Sequence, residues 1–372
     1  MIGAEVVVVG AGPVGLLMAA ELSRRGVAVE LLEQRVETGG GSRAIGIHAP
    51  VLAALEPSGL TAELLEHAVK VRRGEARSGR QVVGTVRFDQ LSARFPFVAT
   101  LPQAVTEQLL AQAAPPPQRG TAVTALRPDA QHVEIGTAST VRRAPLVVLA
   151  GGARSRGLVY RDPAARTYPD RYLMTDIAVG DRPDSHTAAV HLDESGVLES
   201  FPLPGNQRRF VAWDRPGAST DPHLRNVRME RALLARGETA AGEASAFGVR
   251  RFVAPAMRNG RLFVVGDAAH EVSPIGGQGM NLGLLDAVTL APLLAVWART
   301  GHPPEEDLQR WERARIRSAR RAASLAEVNT RLGRPASRPV DAVRRSGLRV
   351  MLGPGAGRLF AHAYSMGFDA HA

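Results

Sequence analysis

A chain of 372 residues, 45% of them apolar, is long enough to bury one large core or two joined ones. It contains no cysteine, which excludes a disulfide framework and a thiolate metal site and fits a reducing, cytoplasmic setting. The formal net charge is +10, but Lys70 is the one lysine and the arginines are dispersed. The densest basic run, 310–321, is broken by Glu312 and reads as a solvated helix face rather than a nucleic-acid footprint.

The first twenty residues are apolar, yet they lack a basic start, contain Glu5 and are cut by glycines and Pro13. That pattern predicts a buried strand and helix rather than a signal peptide or a membrane span. The apolar run 285–297 is too short to span and carries Asp286. Neither membrane nor nucleic acid is an expected partner.

In chain order, 5–10 is a β-branched run expected of a strand covered on both faces. Residues 12–26 predict a helix ending at Gly26 with arginines in its last turn, and 27–33 a second strand. Strand, glycine turn, helix and strand within about thirty residues make a βαβ unit. A loose loop at 38–46 precedes helical segments to about residue 70. Residues 80–98 alternate like strands, 104–114 form a helix stopped by prolines, and 121–152 form a meander ending in a buried strand. From about 166 the texture changes: 186–213 predict three strands with turns at "DESG" and "PGNQ". A buried strand returns at 261–269, and 338–368 reads as terminal helices. The expected division is a discontinuous cofactor domain (1–70, 97–165 and 251–330), a sheet domain (71–96 and 166–250) and C-terminal helices (331–372).

Gly10, Gly12 and Gly15 form G-x-G-x-x-G between the first strand and helix, and Glu33 ends the second strand. The first glycine permits a tight turn, the second lets a pyrophosphate approach the backbone, and the third lets the helix pack closely. Free amides at the helix start suit the phosphate, and Glu33 suits a ribose diol. This unit alone serves NAD or FAD equally.

The stretch "GDAAHEVSPIGGQGMNLGLLDA" (266–287) decides between them. It resembles the flavin-contacting turn of aromatic-ring hydroxylases of the para-hydroxybenzoate hydroxylase family. The resemblance extends to the first glycine motif, to "SRA" (42–44) and to "LPQAVTEQLL" (101–110). It implies an α/β fold in which a glutathione-reductase-like, Rossmann-type FAD domain carries an inserted antiparallel-sheet substrate domain. It also implies that Asp267 binds the ribityl chain, that Pro274 and Gly277 shape the turn, and that amides of Gly279, Met280 and Asn281 stabilise reduced flavin. Arg43 would reach the pyrophosphate, Gln103 would contact the cofactor, and Gly39–Gly41 would form a mobile loop beside the flavin. His270 would be structural.

The implied reaction is hydroxylation of an aromatic substrate, in a polyketide hydroxylase-like branch a polycyclic one, with FAD, O2 and transient NADPH or NADH, through a flavin C4a-hydroperoxide. Tyr172, Met174, Phe201, Phe210 and Trp213 are the candidate pocket residues. No metal is expected, no catalytic side chain is assigned, and His48 and His191 are left aside as isolated histidines. One departure stands out: the family's Asp-Gly pair is replaced by Gly151-Gly152, which bears on reductant use. Epoxidation, Baeyer–Villiger oxidation or dehydrogenation on the same fold, and a non-catalytic flavin-binding partner, remain alternative readings. Substrate identity and oligomeric state stay open.

Overall fold

Val6–Val9 is buried on both faces, and that burial organises the first layer. In the computed structural model, which describes residues 4–37, 44–79, 81–161, 165–239, 242–353 and 356–369, this strand lies inside a five-stranded sheet, next to its edge strand. Val29–Leu32 lies parallel on one side, and Leu146–Leu149, then Leu262–Val264, lie parallel on the other. Arg258–Asn259 adds a short antiparallel edge. A strand enclosed by helices on both faces has no use for alternation, and hence reads as continuous valine and leucine. The meander forms its own three-stranded antiparallel sheet.

The second layer is an eight-stranded sheet. Its order is His270–Glu271, Ser245–Val253, Arg166–Ala178, Gln207–Asp214, Gly196–Leu203, Thr187–Asp193, Arg73–Ser78 and Gln81–Arg87. Its pairings are antiparallel except that between Thr187–Asp193 and Arg73–Ser78, where two distant parts of the chain meet. The helical stretch before it ends at Glu66, earlier than expected, because Val69–Val71 joins a small sheet instead.

Gln278–Thr300 is long and apolar enough to cross a membrane, but 67% of its apolar window is buried inside the protein. It lies against the helix Pro13–Arg24 so closely that a Cβ at Gly283 would sit 2.5 Å from Val14 Cγ2 and 2.9 Å from Gly266 Cα. Gly283→Ala is therefore expected to destabilise the protein by about 1–3 kcal/mol through overpacking. Val14→Ala in the same chain should recover part of the loss, because it removes the side-chain half of the clash. Thermal or denaturant melts of the three variants check this.

Candidate functional site

The two glycine-rich turns meet at one cavity of about 820 Å³ between the two sheets. Gly10, with φ +108°, has no room for a side chain: a Cβ would lie 2.6 Å from the Ala150 carbonyl oxygen. A Cβ at Gly15 would run into the carbonyl of Gly10. Gly12 differs, since nothing lies within 4 Å of the Cβ position and the residue lines the cavity. Two glycines thus serve packing, and the third leaves a backbone cradle open. Gly12 also caps Pro13–Arg24 without a side-chain hydrogen bond, so the positive end of that helix faces the cavity unneutralised.

Glu33 closes this turn. Its carboxylate accepts hydrogen bonds from the amides of Ala11 (2.7 Å) and Arg35 (2.9 Å), and from Arg35 Nε (3.0 Å). Burial opposes its ionisation, but these donors outweigh burial and hold the carboxyl below its ordinary range. Gln103 stands at the start of the helix Gln103–Ala113, lines the same cavity and donates from Nε2 to Glu107 (2.7 Å). Arg43 and Gly39–Gly41 lie outside the described residues.

The second turn is built by positive-φ glycines, Gly276 (+101°) and Gly277 (+67°), which lead into Gln278–Thr300. Asp267, Pro274, Gly277, Gly279 and Met280 line the cavity. The side chain of Asn281 is wholly buried and acts as a brace. Its Oδ1 accepts from the His48 amide (2.8 Å), and its Nδ2 donates to the carbonyls of Gly46 (2.8 Å) and Gly277 (2.9 Å). The Gly277 carbonyl accepts from the Asn281 side chain, and no backbone hydrogen bond from the first turn of the helix to Gly277 occurs among the described residues. The first-turn amides of this helix, those of Gln278, Gly279, Met280 and Asn281, are therefore left without an intrahelical partner.

A network that the sequence did not advertise fixes this turn. Asp286, wholly buried, accepts from the Gly266 amide (3.0 Å) and from Arg315 Nε (2.8 Å), and pairs with His270 Nε2 (2.6 Å). Burial would raise its pKa, yet His270 and Arg315 together hold it below the usual carboxylate range. Arg156 donates to the Asp267 carbonyl (2.6 Å), pairs with Glu271 (2.8 Å) and stacks over Phe252 at 4.3 Å. The "DA" at the end of the turn motif was the one available signal for Asp286. Nothing local marked Arg156 or Arg315.

Of the five pocket candidates, Met174 and Phe201 line the cavity and the other three do not. Phe210 points to the far side of the sheet, among Leu173, Ile177, Leu198, Met229 and Leu233, because neighbouring strand positions alternate faces. Tyr172 is enclosed and stacks on Phe247, with centroids 5.7 Å apart. Trp213 donates its indole N–H to Asp170 (3.2 Å) instead. The two histidines also divide. His48 lines the cavity beside Gly277, and burial, only partly offset by a hydrogen bond with the Gly277 backbone, pushes it down to about 4. His191 does not line the cavity; both its ring nitrogens are buried without partners. Among the described residues no cluster of histidines and carboxylates could hold a metal ion.

A family profile described as an FAD binding domain matches residues 3–326. The chain belongs to this FAD-binding family. It is similar to 6-methylpretetramide 4-monooxygenase of Streptomyces rimosus, 34% identical over 364 residues that cover 89% of this chain. The chain spans 62% of that relative's length. The fold matches p-nitrophenol 4-monooxygenase of Pseudomonas putida (TM-score 0.86, 22% identity, 99% of this chain and 98% of that one). It also matches an aromatic hydroxylase from angucycline biosynthesis (TM-score 0.79, 26% identity, 99% and 77%). The open cradle at Gly12, the uncapped helix start at Pro13 and the bare amides after Gly277 fit the family's cofactor, FAD.

Asp286→Asn should leave the buried Arg315 with only the looser ionic contact to Asp369 (3.6 Å) and cost about 3–5 kcal/mol at neutral pH. Because the folded carboxyl titrates below its unfolded value, its contribution is present above about pH 4 and lost as pH falls through the folded pKa. The gap between wild type and variant in denaturant melts should therefore narrow in acid; a gap independent of pH would contradict this assignment.

Proposed function

We propose that the protein is an FAD-dependent monooxygenase that hydroxylates an aromatic ring, with NADPH or NADH as transient reductant and O2 as oxygen donor. One observation carries the reading. A single cavity runs from Glu33 and Gly12, past Gly276–Met280, to an apolar roof made by Met174, Val190, Phe201, Val211 and Phe247. Such a chamber has room for a dinucleotide along its floor and a flat hydrophobic ring above. The relatives' names, a pretetramide monooxygenase and an angucycline-pathway hydroxylase, support a polycyclic, polyketide-derived substrate.

When bound, FAD supplies the two-electron chemistry between nicotinamide and O2 that delivers one oxygen atom to the ring. The chain's own residues bind, orient and exclude water. Gly10, Gly12 and the start of Pro13–Arg24 would take the pyrophosphate, and Gly15 keeps that helix close to the strand. Glu33, with three donors already on its carboxylate, has one lone-pair direction left for a ribose hydroxyl. Asp267 would hold the ribityl hydroxyls, and Gln103 would contact the cofactor from the opposite wall. Bare amides at Gln278, Gly279, Met280 and Asn281 would set the positive end of a 23-residue helix against the negative charge of reduced flavin. That arrangement is worth about 0.3–2 kcal/mol. The apolar roof then keeps water from the reacting atoms.

Gly151 sits where the family carries an aspartate, and the local geometry favours glycine. A Cβ there would meet Ser155 Cβ and Oγ, both at 2.8 Å, and Ser155 Oγ donates to the Gly152 carbonyl (2.8 Å). This tight turn is the observation that favours the second reading, a flavin-binding protein slow to accept electrons from a nicotinamide.

Two measurements test the proposal. With an aromatic substrate, reductant and labelled O2, the product should gain one labelled oxygen atom, and labelled water should contribute none; label from water, or conversion without oxygen, would overturn it. For reductant handling, Gly151→Asp alone should lower the melting temperature without speeding flavin reduction. Gly151→Asp together with Ser155→Gly should reduce faster in anaerobic stopped flow than Ser155→Gly alone. Equal rates would mean that the missing carboxylate does not limit reduction.

A further inference from the structure

The roof of the cavity is mostly aliphatic and aromatic, and of its charged side chains, Glu75, Glu199, Arg209 and Arg250, Glu199 is buried without a partner among the described residues. Glu199 lies in the middle of Gly196–Leu203, in register with Val190 on one neighbouring strand and Val211 on the other, and all three line the cavity. Its neighbours on the same face of its own strand are Val197 and Phe201, also in the lining. Leu348 and Met351 of the helix Arg338–Met351, and Phe360 of Ala356–Tyr364, close the chamber from the C-terminal side. Glu199 is 4% exposed, and no hydrogen bond or ion pair to its side chain occurs among the described residues. A polar group buried without a partner is costly, and in a native site it points to a partner that arrives with the ligand.

The other charged and titratable groups around the chamber are otherwise engaged. Arg209, on the strand Gln207–Asp214, gives both Nε and Nη2 to Asp176 at 2.7 Å. Glu75, on Arg73–Ser78, pairs with Arg77 at 2.7 Å, and Arg250, on Ser245–Val253, is exposed. Tyr364 of the last helix and Tyr172 of Arg166–Ala178 stay protonated: burial and then the charge of Glu199 push Tyr364 up, and burial, then Asp170, then Glu199 push Tyr172 up. His48, Asp267 and Glu271 belong to the floor, around the flavin turn. Glu199 is thus the group that titrates on the roof, and burial pushes its carboxyl up to about 8.

We propose that Glu199 is the substrate-recognition residue of this cavity, accepting a hydrogen bond from the ring hydroxyl of an uncharged phenol or enol and excluding rings that carry a carboxylate. The inference rests on the aromatic-hydroxylase reading and narrows its substrate class. A neutral carboxyl accepts through its carbonyl oxygen, whereas the carboxylate accepts a stronger, charge-assisted bond. A phenol therefore favours the ionised form, and its affinity rises as pH climbs through the carboxyl's titration, until the phenol itself ionises near about 10. An aromatic carboxylate would instead place a second negative charge in the same apolar chamber, and is rejected more strongly as pH rises.

Binding to the FAD-loaded protein, followed by perturbation of the visible flavin absorption, tests this without turnover. The probes are 2-naphthol, naphthalene and 2-naphthoate, at about pH 6.5 and about pH 9, on either side of the Glu199 titration. In the wild type, 2-naphthol should bind about tenfold more tightly at the higher pH, naphthalene should show no pH dependence, and 2-naphthoate should not saturate at the higher pH, where Glu199 is ionised. Glu199→Gln should flatten the 2-naphthol profile and admit 2-naphthoate. A flat wild-type profile, a pH dependence that survives in Glu199→Gln, 2-naphthoate binding as tightly as 2-naphthol, or no saturable response to 2-naphthol would each overturn the assignment. The wild-type profile against naphthalene decides the matter even if the variant does not fold. Failure here with labelled oxygen still entering a product would remove Glu199 from recognition and leave hydroxylation standing; the reverse pair of results would do the opposite.

Discussion

The carboxylate of Asp286 is the interaction on which the site depends. It lies wholly buried on the long helix, and its two oxygens gather the backbone amide of Gly266, the ring of His270 and the guanidinium of Arg315. Those groups belong to the strand tip, the segment leaving the turn and the helix Glu305–Leu332. One charge therefore holds together the pieces that place the helix N-terminus against the cavity. A buried carboxylate is tolerated only when its remaining lone pairs are satisfied, so the three donors and the turn geometry are mutually required.

The cavity is electrically asymmetric as a result. Its floor is lined by unneutralised amides at two helix starts, Pro13–Arg24 and Gln278–Thr300, with Glu33 and Asp267 set among them. Its roof is mostly apolar; Glu75 and Arg209 there are paired, Arg250 is exposed, and Glu199 is buried where charge is disfavoured. Low-dielectric walls magnify the field of fixed dipoles, so the floor's preference for negative charge is strongest where water is excluded. A negatively charged cofactor along the floor and an uncharged ring beneath the roof are what this division suits.

Much of the floor was legible in the sequence because its demands are local. A glycine at positive φ or under a carbonyl is a constraint within a few residues, and such constraints appear as G-x-G-x-x-G and as "PIGGQG". The roof was only half legible. Alternation announced strands at 186–213, but period two does not say which face meets the cavity, so Met174 and Phe201 were found together with Phe210, which faces away.

The sequence by itself determined the backbone chemistry of this protein: two glycine turns, each at the end of a buried strand and opening a helix, spaced for an FAD site. Tertiary structure alone decided what those turns face. Arg315 reaches Asp286 across 29 residues, Arg156 reaches the Asp267 carbonyl across 111, and Glu199 meets a roof closed by helices after residue 338. Side-chain partnerships over such separations depend on how sheets and helices stack, and the energy that selects the stacking is spread over the whole core. A strand glutamate becomes a recognition group only once burial has removed water from every side of it.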